Sequence, residues 1–74
     1  MTKEDLVMEL RKMYENAPKG DSTTMIRLFG IKYAFELKEC GAPITEIAIL
    51  SKIGDNYHAE ISKGIRLSKY VKLK

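Results

Sequence analysis

The chain has 74 residues, 45% of them hydrophobic and 31% charged, with a formal net charge of +3. That length holds one domain, residues 1–74, and the apolar content excludes an intrinsically disordered chain. No run of about 18 apolar residues is present, which excludes a membrane-spanning helix, and the single cysteine, Cys40, excludes an internal disulfide and suits a reducing cytosol.

The first element expected is a helix over residues 2–17, TKEDLVMELRKMYENA. Leu6, Leu10, Met13, Tyr14 and Ala17 recur at helical spacing, while Lys3, Glu4, Arg11, Lys12 and Glu15 take the other face. Thr2 followed by Asp5 reads as an N-cap with an acid at the third helical position. The opening MTKEDLVMEL carries acids where a secretion signal needs a basic start and an apolar run. Pro18 to Asp21 makes a turn, and Asp21 or Ser22 can cap the next helix.

Residues 23–40 hold two apolar groups, Met25, Ile26 and Phe29, then Ala34 and Leu37 with Tyr33, and Gly30 lies between them. The spacing predicts a short helix, a kink or break near Gly30, and a second helix to about Cys40. Gly41 then stops that helix and Pro43 opens the next element.

Residues 44–53, ITEIAILSKI, are β-branched enough for a buried strand. Length, the preceding Pro43 and the following Gly54 favour a helix. Apolar residues nearly encircle it, which places that helix in the middle of the core. Gly54-Asp55-Asn56 is expected as a turn, and a last helix runs from about Asn56 to Lys69. Tyr57, Ile61, Gly64, Ile65 and Ser68 fall on its inner arc; Ala59, Ser62, Lys63 and Arg66 fall opposite. Beyond it, Val71 in, Lys72 out and Leu73 in is a strand pattern. A strand there would need a partner, either within the chain or in a second copy. The fold class expected is therefore all-α, a compact bundle of four or five helices with a possible short C-terminal strand.

The charge is gathered at one end. Residues 61–74 carry five bases, Lys63, Arg66, Lys69, Lys72 and Lys74, and no acid, whereas the first 60 residues net to −2. A basic segment of this kind favours an anionic partner. Catalytic chemistry is scarce by contrast. His58 and Cys40 are the single residues of their types and form no metal-ligand cluster. The stretch KGDSTT, residues 19–24, lacks the spacing of a phosphate-binding loop. Glu36 and Glu39 lie on a helix face with nothing to mark a cleft. The chain reads as a non-enzyme without metal or cofactor.

A buried helix, a turn at 54–56 and a following helix with a polar, basic outer face is the order of a helix-turn-helix unit. Three stretches, LFGIKYA (28–34), ITEIAILSKIG (44–54) and EISKGIRLSKYVKL (60–73), resemble a group of small bacterial helix-turn-helix-like domain proteins associated with restriction or regulation. The resemblance implies binding to duplex DNA. On residue chemistry, Asn56, Ser62, Lys63, Arg66, Lys69 and Lys72 are the candidate DNA contacts, with Arg and Lys suited to phosphates or guanine and Asn to adenine. The sequence departs from the usual pattern, however. Counting from Gly54, Leu50 takes the place of a small Ala, and Glu60 and Lys63 fall where apolar residues belong. A turn longer by one residue would return Ile61 and Gly64 to those places. Two other readings stand beside DNA binding. One is a protein-interaction or dimerisation module using the C-terminal strand. The other, a basic amphipathic tail on a membrane surface, is weakened by modest apolar content.

Overall fold

A reciprocal hydrogen-bonded cap starts the fold. In the computed structural model, which describes residues 1–53 and 57–72, the Asp5 N–H donates to Thr2 Oγ1 at 3.1 Å. The Thr2 N–H donates in return to Asp5 Oδ2 at 3.0 Å. This is the expected capping box, and it launches α1, Lys3–Glu15. Leu6 and Leu10 are fully buried, and Met13, Tyr14 and Ala17 are half-buried, as their spacing predicts.

Four further helices follow among the described residues: α2 (Ser22–Lys32), α3 (Ala34–Cys40), α4 (Ile44–Leu50) and α5 (His58–Leu67). The all-α expectation holds. Asp21 occupies the N-cap of α2 but makes no side-chain cap bond. Gly41, at φ 71, ends α3 in the left-handed conformation, and the Pro43 carbonyl accepts the first N–H bonds of α4 from Glu46 and Ile47. The ambiguous segment at residue 44 is a helix.

Three expectations need correction. The break in the 23–40 region falls at Tyr33 (φ −111, ψ 21), not at Gly30. The Tyr33 ring leans on Phe29, with centroids 5.2 Å apart, while Gly30 stays inside α2 and buried. Next, α4 is not in the middle of the core. It packs on α1 and α5 at the edge of the bundle, burying Ile47 and Ala48 but leaving Ile49 59% and Leu50 47% exposed. Its exit is held by buried Ser51, whose hydroxyl donates to the Ile47 and Val7 carbonyls at 2.7 and 3.3 Å. Finally, residues 68–72 form no strand. Tyr70 and Val71 donate their N–H groups back to the Leu67 carbonyl, which curls the chain instead of extending it. Val71, expected inward, is 46% exposed, and Leu73 lies outside the described residues.

The dominant contact is between α2 and α5. A Cβ at residue 30 would stand 3.0 Å from Gly64 Cα and 3.1 Å from Ile65 N, and would collide with the Ile61 carbonyl oxygen. A Cβ at residue 64 would stand 3.0 Å from Gly30 Cα and collide with the Arg27 carbonyl oxygen. The two backbones are in contact, a distance only glycine permits. Around them pack Ile26, Phe29 and Ile61, all fully buried. On the rim of the same contact, Arg27 donates two hydrogen bonds to Glu60, Nε to Oε2 at 3.2 Å and Nη2 to Oε1 at 3.1 Å.

This packing sets three expected outcomes. Gly30→Ala gains about 1 kcal/mol of helix propensity, but the new methyl meets backbone that cannot swing aside. A net loss of about 1–3 kcal/mol is expected, read as a lower urea midpoint; an unchanged or raised midpoint would show that the helices do not touch there. Ile47→Ala and Ile61→Ala should each cost about 2–5 kcal/mol by the same assay. The third concerns pH. Hydrogen bonds from Arg27 and then from Lys63 hold the Glu60 carboxyl below the ordinary value of 4.5. Since the folded-state value is depressed, the stability it contributes is complete above 4.5 and is lost as pH falls through the folded value. The stability gap between wild type and Glu60→Gln should be widest near neutrality and close in acid. A gap that does not change with pH would contradict the assignment.

Candidate nucleic-acid interface

The outer face of α5 takes its position from its inner one. Ile61 and Gly64 are buried against α2, and Tyr57, Ile65 and Ser68 are half-buried on the same side. The Tyr57 ring stands 6.0 Å from that of Tyr14 on α1. With those positions turned inward, the helical repeat turns Ala59, Lys63 and Arg66 to solvent, and all three are exposed. Ser62, expected on the outer face, is half-buried at its margin.

Among the candidate contacts, Lys63 and Arg66 therefore share one exposed face. Lys69 and Lys72, also exposed, lie just beyond the end of α5. Asn56 and the expected 54–56 turn lie outside the described residues. Lys63 is not a bare charge: its Nζ donates to Glu60 Oε1 at 3.1 Å, the same oxygen that accepts from Arg27. The Glu60 side chain is only 13% exposed, with two cations closing over it. One carboxylate and two bases leave a local charge of about +1, so the charge available here is smaller than a count of lysines and arginines gives.

Lys69 and Lys72 acquire neighbours that their places in the sequence do not reveal. Lys69 lines an open depression of about 510 Å³ with Lys38 and Phe35 of α3, and Lys72 lines an adjoining one with Lys32 of α2. Neither lining contains an acid. Lys32 and Lys38 thus extend the basic surface across three helices. No linear pattern marks them, since Lys38 and Lys32 lie 31 and 40 residues from Lys69 and Lys72, the residues they join.

Seven residues, 51–57, separate α4 from α5, more than the three or four of an ordinary helix-turn-helix. The inward turn of Ile61 and Gly64, with Lys63 exposed, is the register that a lengthened turn was expected to restore. Among the described residues no group of three or more His, Cys, Asp or Glu is placed to hold a metal ion, and no helix is long and apolar enough to cross a membrane.

Comparison with curated proteins gives no match, and comparison with solved structures gives none either. A family model described as "HTH-like domain" matches residues 2–74. With five helices among its described residues and an exposed basic face on the last of them, this chain belongs to the HTH-like domain family.

Proposed function

We propose that the chain acts as one domain over residues 1–74 that binds duplex DNA through the outer face of α5 and the basic residues after it, in a regulatory or restriction-related role. One observation carries the reading: Lys63 and Arg66 stand exposed opposite Ile61 and Gly64, on a helix whose roll is set by backbone contact with α2. Membership of the HTH-like domain family supports it. In this reading Lys63, Lys69 and Lys72 meet phosphates, and Arg66, Ser62 and Asn56 reach base edges. Arg66 takes the leading place among them, being exposed beside a helix face whose other cation, Lys63, is shared with Glu60.

Glu60 gives the proposal a signature. A phosphate approaching Lys63 also meets a carboxylate, so removing that charge should strengthen binding even as it weakens the fold. A single copy should bind a mixed-sequence duplex with a dissociation constant of ~10⁻⁴–10⁻⁶ M at physiological salt, and more weakly as salt rises. In a titration of isotope-labelled protein, amide shifts should concentrate in residues 57–72. They should shrink in the folded double variant Lys63→Glu/Arg66→Glu and grow in Glu60→Gln. Shifts confined to α1, or none at low salt, would end the DNA reading.

A further inference from the structure

Met8 stands 70% exposed in the middle of α1 and shares a shallow depression with Leu50, 47% exposed at the end of α4. Charges are ordered around it. Glu4 and Asp5 come four and three residues before Met8, and Arg11 and Lys12 come three and four residues after it. All four are exposed. On a helical projection Glu4 and Arg11 fall on one flank of Met8, and Asp5 and Lys12 on the other.

Such a helix is its own electrostatic complement when reversed. Laid antiparallel on a second copy, Met8 over the partner's Met8, it sets Glu4 beside the partner's Arg11 on one flank. On the other it sets Asp5 beside the partner's Lys12. The two-fold axis repeats both pairs, giving four oppositely charged contacts around an apolar centre. A parallel arrangement would set like charges together. We propose that α1, with Leu50 of α4, is a self-association surface through which two copies of this chain pair antiparallel about Met8.

The contacts these residues make within one chain are compatible with such a pair. Arg11 reaches Glu15 at 3.4 Å along the same exposed stripe, a surface pair that rearranges at little cost. Asp5 accepts the Thr2 N–H of the cap through Oδ2 and remains exposed at the surface. An isologous contact of this kind needs a single patch used twice, which suits a chain of 74 residues. None of these residues lies on α5. The inference does not rest on DNA binding.

Sedimentation velocity over a concentration series, at low salt and without nucleic acid, tests it. The wild type should pass from monomer to dimer. Glu4→Arg places Arg over the partner's Arg11, and Arg11→Glu places Glu over the partner's Glu4. Each alone should weaken association by about tenfold or more. An equimolar mixture of the two should recover wild-type association, because every facing pair is again opposite in sign; damage to the fold would not recover on mixing. Met8→Glu, at an exposed site outside both charge pairs, should also abolish association. A wild type that stays monomeric up to ~1 mM, variants that dimerise like the wild type, or a mixture that stays monomeric would each overturn the proposal.

Discussion

Backbone contact between α2 and α5 at Gly30 and Gly64 governs the rest of the molecule. Side chains ordinarily keep packed helices about 8–10 Å apart. Here each helix presents a glycine where the other presents a carbonyl, Ile61 facing residue 30 and Arg27 facing residue 64. The contact determines how α5 is rolled about its axis. Ile61 must point into the core it shares with Ile26 and Phe29, and positions 59, 63 and 66 must then point away. It also determines which charges meet. Arg27 is three residues before Gly30, and Glu60 immediately precedes Ile61, so the crossing that buries the glycines lays the guanidinium along the carboxylate.

That ion pair tempers the charge asymmetry of the chain. A +5 segment with no acid looks uniformly attractive to an anion, yet its first base is tied to a carboxylate just outside the segment. The effective positive surface shifts toward Arg66, Lys69 and Lys72, where Lys32 and Lys38 join it. An anionic ligand following the potential would settle over the C-terminal part of α5 and the α2–α3 junction, not evenly along the helix.

Most of the local structure was legible in the sequence. The Thr2–Asp5 box, the stop at Gly41, the inward arc of Ile61, Gly64 and Ile65, and the helical nature of 44–50 obey short-range rules, and all of them hold. Distant partners decide the rest, and there the local signals mislead. Gly30 reads locally as a weak point of a helix, and only Gly64, 34 residues away, shows that it is a contact point. The apolar girdle of residues 44–53 reads as a core helix, but hydrophobicity does not say how many neighbours a helix has; α4 packs chiefly on α1 and α5, and Ile49 and Leu50 stay exposed. The alternation of Val71 and Lys72 is too short to outweigh the turn that closes on the Leu67 carbonyl. Glu60 is illegible for the same reason: its role depends on Arg27.

The lengthened link between α4 and α5 takes on a different meaning once α2 is seen as the support. In an ordinary helix-turn-helix the preceding helix holds the presented one, and a tight turn sets the angle between them. Extra residues in that turn would then tilt the presented helix. Here the angle and roll of α5 are set across the Gly30–Gly64 contact by a helix that precedes it by more than 25 residues, while α4 closes the side with Ile47 and Ala48. The described part of the connection between α4 and α5 carries Lys52 at φ 60, and α5 is seated where its backbone meets that of α2. The departure from the usual spacing and the pair of facing glycines are thus two sides of one arrangement, in which the helix that positions α5 is not its neighbour in sequence.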